Sequence, residues 1–397
     1  MERRMRRIYL DHIASTPVHP LVLEEMLPYL KERFGNPQSL HADGQEAMAA
    51  LEEAREKVAG LLGAESAEVY FTASGSESNN LAVKGLALAQ REKGNHLVLS
   101  AVEHQSVLHA AKSLEKLGFT ATLVPVDKQG RVDPEEVRRA LRKETVLVSV
   151  MLANGEVGTI EPVAEIAEIC RSRKILFHSD AVDAVGNIPV NVKTLGVDAL
   201  SLAAHQFYGP KGAAALFLKK ATRILPLIDG GIQEGGRRAG TENVAAIVGL
   251  GKAAELAAAE MAARGLLQSG LRDKLMVELP RRVDRVVLTG HPVERLPHHA
   301  SFCVEFIEGE GMLLGLDMKG IACSSGSACT SKALKASHVL LAMGLDHALA
   351  QGSVVFSLVD GTTSDDIGHL LEVFPPVIDR LRKMSPLYTK YLEEKGQ

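Results

Sequence analysis

The sequence predicts an α/β fold: a large, mostly parallel sheet of about seven strands covered by helices, followed by a smaller α+β unit. Three observations carry this. Short apolar runs alternate with amphipathic segments between residues 69 and 219. Several of the amphipathic segments open on proline and repeat apolar residues at helical spacing. A long stretch rich in alanine and leucine, from Val244 to about Leu275, then separates this pattern from a second one.

The runs fall at 69–72, 96–100, 121–126, 145–150, 175–178, 199–202 and 213–218. Each is apolar nearly throughout, as strands covered on both faces require. Segments 134–142 and 162–173 begin with Pro134 and Pro162 and read as crossover helices. The stretch from Val244 reads as one long helix linking the two units. Beyond it, 285–288, 301–306 and 353–357 read as short strands set among helices. The first fifteen or so residues precede the large-domain pattern and are expected to pack on the second unit. The expected division is 16–258 for the large domain, and 1–15 with 259–397 for the small one.

At 397 residues the chain is long enough for two cores. With 46% hydrophobic and 24% charged residues and a net charge of −4, nothing points to nucleic acid or an anionic membrane. No apolar run approaches the roughly 20 residues needed to span a bilayer. The basic start at 1–7 has no apolar region after it and is expected to be a solvated leader, not a secretory signal. The cysteines (Cys170, Cys303, Cys323 and Cys329) are too few for a disulfide framework, so a reducing cytoplasm is the expected location. The histidines are scattered without zinc-type spacing.

Chemistry-bearing motifs follow the strands. Thr72-Ala-Ser-Gly-Ser76-Glu77 opens a helix and leaves backbone N–H groups free for a phosphate, although a plain N-cap turn explains it equally well. Asp180, in His178-Ser-Asp180-Ala-Val-Asp183, arrives at the carboxyl edge of the sheet, where α/β ligands bind. An acid there can pair with a pyridinium nitrogen or simply cap a helix. Glu103-His104 closes a third strand, with an imidazole that could stack on an aromatic cofactor or serve the structure alone.

In this order, together with Asn154-Gly155-Glu156-Val-Gly-Thr159 and Ser201-Leu-Ala-Ala-His205, these motifs resemble the class V aminotransferase-like proteins. More closely they resemble the cysteine desulfurases of iron–sulfur cluster assembly. Further matches are Tyr9-Leu-Asp-His12, Gly35-Asn-Pro-Gln-Ser-Leu-His41, Arg238-Ala-Gly-Thr-Glu-Asn243 and Cys323-Ser-Ser-Gly-Ser-Ala-Cys329-Thr-Ser331. The resemblance covers nearly the whole chain and implies the pyridoxal-phosphate (PLP) transferase fold of the aspartate aminotransferase type (fold type I). It also implies that Ser76, His205 and, from a partner subunit, Thr241 hold a phosphate. By the same resemblance His104 stacks on the pyridine ring, Asp180 meets the ring nitrogen, and Cys329 accepts sulfur as a persulfide. A homodimer is implied, because the phosphate site borrows Thr241 across subunits. The tail Met384-Ser-Pro-Leu-Tyr388 resembles the end of the subgroup that delivers sulfur to an iron–sulfur scaffold protein. Cys329 sits among serine, glycine and alanine, which suits an exposed reactive thiol and leaves open a role as cluster ligand; Cys323 reads as structural.

The pattern fails at four places. Gln206 stands where the family lysine forms the Schiff base, and an amide nitrogen cannot form that imine. Gly155 replaces an asparagine that contacts cofactor or substrate beside Asn154. Asp183 replaces a glutamine that donates to the phenolic oxygen of the ring; an ionised carboxylate there would repel it. Val355 replaces the arginine that clamps the substrate carboxylate. A substitution made only to trap a reaction would leave the neighbours intact, so four changes read as natural loss or redirection.

The expected function is a cysteine desulfurase-like protein of sulfur or iron–sulfur metabolism, handling sulfur through Cys329 while docking a scaffold or sulfur-acceptor protein. PLP, if bound, is not held as a Schiff base by Gln206. Lys211, the nearest remaining amine, belongs to the family segment itself and does not substitute. The alternatives are an active desulfurase with non-covalent PLP, a non-catalytic dimeric binding partner, and a pocket redirected to another phosphorylated ligand.

Overall fold

The computed structural model describes residues 7–326 and 336–395. A two-residue strand β1 (Ile8–Tyr9) precedes the large sheet, which is built from β2 (Val69–Thr72), β3 (His96–Ser100), β4 (Thr120–Val124), β5 (Thr145–Ser149), β6 (Leu176–Asp180), β7 (Ala199–Ala203) and β8 (Ala214–Leu218). Their spatial order is β2-β8-β7-β6-β5-β3-β4. From β7 to β4 all pairings are parallel, and β8 runs antiparallel to both its neighbours. The chain passes from Ala203 to Ala214 without a crossover helix, and so short a connection suits an antiparallel return. All seven apolar runs appear as strands. β4 stops at Val124 because Pro125, next in line, has no N–H to give the ladder.

Helices cover both faces. One core gathers Val98, Val148, Phe177, Leu200 and Phe217 with helix residues Leu51, Val58, Ile166 and Leu250. The other gathers Leu97, Leu99, Leu147 and Leu216 with Leu86, Val107 and Leu114. The alternation of Leu97, Val98 and Leu99 between the two cores is the period of two expected of a strand buried on both sides. The helix Pro134–Ala140 has Pro134 in its first turn and Asp133 as N-cap, whereas Pro162 is itself the N-cap of Val163–Ser172.

The long helix extends from Val244 to Arg282, past the expected end near Leu275. Pro280 lies in its last turn, where the missing N–H costs one hydrogen bond and does not break the helix. Its first part packs Ile247, Leu250 and Ala254 into the large core, and its last part packs Leu275 and Leu279 into a separate one. That second core lies under the antiparallel sheet β9 (Val286–Leu288), β10 (His299–Val304) and β12 (Ser353–Ser357), in the order β12-β10-β9, and contains Phe302, Phe356 and Phe374. β10 ends earlier than expected because Phe306 takes a φ of 72°, which turns the chain out of the sheet. β1 pairs in parallel with β11 (Ile321–Ala322), and Ile8 and Leu10 are buried in this second core. Among the described residues no helix is long and apolar enough to cross a membrane.

Candidate functional site

The carboxyl ends of β3, β5, β6 and β7 deliver the polar residues singled out above to one edge of the large sheet. β6 ends on Asp180, which is 5% exposed. Its Oδ1 accepts from the backbone N–H of Val182 (3.0 Å) and its Oδ2 from Asn79 Nδ2 (2.5 Å). Asn79 Nδ2 lies also 2.9 Å from Ser106 Oγ, which is 2.7 Å from His104 Nδ1. His104, exposed after β3, thus caps the helix Gln105–Glu115 and joins a polar chain to Asp180. Burial pushes the Asp180 carboxyl above the ordinary range, opposed by His104, by the Val182 N–H and by Asn79. An acid so held, with a histidine beside it, fits a protonated pyridine nitrogen.

Gln206 follows β7 and is 4% exposed. Its side-chain Nε2 donates to the carbonyl of Ile13 at 2.7 Å, while its own carbonyl meets His12 Nε2 (2.8 Å) and accepts from Asn187 Nδ2 (3.2 Å). Thr16 extends the same clasp: its Oγ1 donates to the His205 carbonyl and accepts from the Tyr208 N–H. The amide at the imine position therefore ties the N-terminal segment to the sheet. Lys211 is exposed, and its charge, after burial, helps hold His205 below its usual range.

Asn154 is 1% exposed and engages its amide on the backbone, donating to the Val102 carbonyl (3.0 Å) and accepting from the N–H groups of Glu156 (2.9 Å) and Val157 (3.0 Å). The neighbouring Gly155 abuts Asp183: a Cβ at Gly155 would lie 2.6 Å from Asp183 Oδ2. Burial, then Asp180, then Glu156 push the Asp183 carboxyl up to about 7. Burial likewise pushes Glu156 up to about 7, against the hydrogen bond it accepts from Ser337 Oγ. Val355 is 1% exposed in β12, its backbone N–H donating to the Ser324 carbonyl at 2.7 Å. β12 pairs with β10, whose His299 Nε2 lies 2.8 Å from the Gly155 carbonyl.

Ser76 is exposed in the first turn of the helix Gly75–Asn80, whose N-cap is Ser74. Thr241 is exposed just before the long helix. Cys329 lies outside the described residues. The chain on either side of it reaches Glu156, since Ser337 donates to Glu156 Oε2 and a Cβ at Gly326 would lie 3.0 Å from that oxygen. Burial pushes the thiols of Cys170, Cys303 and Cys323 up to about 12, so none is a ready nucleophile near neutrality.

Glu156, Asn79 and Ser337 were not singled out in the sequence. Asn79 carried a signal, since it lies one helical turn after Ser76 and faces inward; Ser337 carried none. The residues at this edge fit the ring-nitrogen end of PLP and do not fit a covalent attachment, because position 206 offers an amide already bonded to Ile13.

The family described as aminotransferase class-V matches residues 8–370. The chain is 50% identical over 381 residues to the cysteine desulfurase IscS of Dictyoglomus turgidum, covering 96% of this chain and 97% of that one. It is 49% identical over 385 residues to the cysteine desulfurase IscS of Methanosarcina thermophila, with coverage of 97% and 95%. Among solved structures, a NifS-like protein superposes with a TM-score of 0.89 at 37% identity, over 94% of this chain and 100% of the other. With its PLP-dependent transferase fold and its match along nearly the whole length of these relatives, the chain belongs to the class-V aminotransferase family, among the cysteine desulfurases of the IscS type.

Proposed function

We propose that this protein serves sulfur or iron–sulfur metabolism by handling sulfur at Cys329, and that its own PLP-dependent cleavage of cysteine is lost. The observation that carries the reading is the hydrogen bond from Gln206 Nε2 to the Ile13 carbonyl at 2.7 Å. The position that would supply the primary amine supplies a structural amide. When bound, PLP supplies an electron sink for an attached amino acid; without a lysine this chain has no residue at position 206 to attach it or to carry its proton. Val355 adds to this, since an aliphatic side chain gives a substrate carboxylate no donor.

In the proposed role the Cys329 thiolate attacks the outer sulfur of a persulfide donor, and the donor's thiolate leaves. Sulfur then passes to an acceptor docked on the tail. Met384 and Leu387 are 71% and 58% exposed, and the helix Pro386–Lys395 buries no residue, which supports a docking role. Phe34, Leu40 and Ile232 are more than 80% exposed, at 82%, 92% and 81%, and such apolar exposure supports a homodimer. Ser76, His205 and the partner's Thr241 would hold a phosphate, with His104 over the ring and Asp180 at its nitrogen. The large domain spans 16–258 and the small one 1–15 with 259–397, and the protein works in the cytoplasm.

The test is a pair of assays on the purified chain. Cysteine with added PLP should release no sulfide above the protein-free control. A persulfide donor should add one sulfur to the chain, mapped to Cys329 by mass spectrometry and absent in Cys329→Ser. PLP-dependent sulfide release at the rate of an active relative would overturn the loss of cleavage, and a Cys329 that takes no sulfur would overturn the sulfur role.

A further inference from the structure

The departures at positions 183, 206 and 355 share a sign, and that at 155 is neutral. By the family resemblance, two cations, a lysine and an arginine, are replaced by the neutral Gln206 and Val355, and a neutral glutamine is replaced by Asp183. Relative to the family pattern the site edge thus loses two cations and gains one titratable acid, Asp183. The acids are close enough to feel one another: Asp180 and Glu156 both raise Asp183. Gly155 leaves the space that the Asp183 carboxylate fills, since a Cβ there would come within 2.6 Å of Oδ2 and 3.2 Å of Oδ1. The carboxylate is thus accommodated by the backbone beside it. A buried carboxylate without a cation is costly, and the cation missing from the chain can come with the ligand.

We propose that this pocket selects the amine form of the B6 cofactor, pyridoxamine 5′-phosphate, held without a covalent bond, over the aldehyde form PLP. The ring nitrogen would meet Asp180, held by Asn79 and Val182. The ammonium would neutralise the Asp183 carboxylate, on a segment whose Asp183 carbonyl shares the Asn187 amide with the carbonyl of Gln206, at 3.1 and 3.2 Å. Gln206, fixed on Ile13, neither competes with that ammonium by charge nor captures an aldehyde. The valine at 355 removes any need for the ligand to carry a carboxylate. The proposal rests on the reading that cysteine cleavage is lost, and adds which ligand the remodelled pocket takes.

The test is equilibrium binding by calorimetry of three probes to the full chain: pyridoxamine 5′-phosphate, PLP and pyridoxine 5′-phosphate. The last has a neutral hydroxymethyl group in place of the amine, so it isolates the charge. Pyridoxamine 5′-phosphate is expected to bind at least about tenfold more tightly than either of the others. Asp183→Asn should bring the three within about threefold of one another, by weakening the amine and not by strengthening the rest. Equal or tighter binding of PLP or pyridoxine 5′-phosphate by the unmodified chain overturns the proposal, as does no binding of any probe or an unchanged preference in Asp183→Asn. So does covalent capture of PLP on Lys211 after borohydride reduction. The unmodified chain decides the central point even if the variant does not fold. None of these outcomes measures sulfide release from cysteine or sulfur uptake by Cys329, so the proposal and the readings under it fail separately.

Discussion

A Cβ atom on Gly155 would sit 2.6 Å from Oδ2 of Asp183, and this single approach joins two positions that look independent along the chain. Asp183, as placed, leaves no room for a Cβ at position 155. Gly155→Ala should therefore destabilise the protein by about 1–3 kcal/mol, because the carboxylate must move within a packed edge. Asp183→Ala removes the obstruction, so the double variant should be more stable than the sum of the two changes predicts. A coupling of roughly 0.5–3 kcal/mol in a urea-denaturation cycle would establish the pairing. Strict additivity would show that the edge yields without cost.

Gln206→Lys should not restore cysteine cleavage. The new ammonium would find the Ile13 carbonyl, which already holds the Gln206 amide. It would also lack the carboxylate clamp, since Val355 is buried and apolar. Sulfide release should stay below about one-hundredth of that of an active relative, the scale on which misplacement of reacting groups is felt. Gln206→Lys with Val355→Arg, Asp183→Gln and Gly155→Asn should exceed the single variant. Full activity from the single change would mean that the other three positions are neutral.

The large sheet is legible in the sequence because a strand covered on both faces must be apolar at nearly every position, as in His96–Ser100 and Ala214–Leu218. The arrival of Asp180 at the sheet edge is legible because it lies two residues past the run 175–178. Strand ends are less so: Pro125 and the φ of Phe306 decide them one residue at a time. Contacts between distant segments leave no local trace. Glu156 and Ser337 are 181 positions apart, and no periodicity in either segment announces the bond. Nor does any pattern show that Gln206 turns toward Ile13; the substitution tells what the position cannot do, and only the fold tells what it does instead.

Arg55 and Glu234 form a buried bidentate pair, with Nη1 to Oε2 at 2.7 Å and Nη2 to Oε1 at 2.9 Å. Glu234 Oε2 also accepts from the Phe71 N–H at 2.8 Å, so the pair braces the segment leading to Thr241 against β2. Glu234→Ala should cost about 3 kcal/mol, because it leaves the largely buried Arg55 guanidinium with only the exposed Glu52, at 3.3 Å, and the Phe71 N–H without its acceptor. Replacing both partners by apolar residues should cost less than that single change. Urea denaturation at two salt concentrations checks both points, and the loss should be nearly independent of salt, since buried pairs are screened little.

Glu103 sets a pH dependence with an unusual direction. It is fully buried, and its Oε1 accepts from Ser100 Oγ (2.6 Å) and the Met151 N–H (2.8 Å), while Oε2 has no hydrogen-bond partner among the described residues. Burial pushes its carboxyl up to about 8 from 4.5, against both hydrogen bonds and with Asp180 and Glu161 adding to the rise. The folded chain therefore keeps a proton that the unfolded chain releases. Between about pH 4.5 and about pH 8 the folded state binds more protons, so stability falls as pH rises and levels off above that window. Glu103→Gln keeps an acceptor oxygen for Ser100 and Met151 and has no proton to lose. It should match the natural chain near pH 5 and exceed it near pH 9 by roughly 1–4 kcal/mol in urea denaturation. Parallel stability curves for the two chains across that range would mean that Glu103 titrates as an ordinary carboxylate.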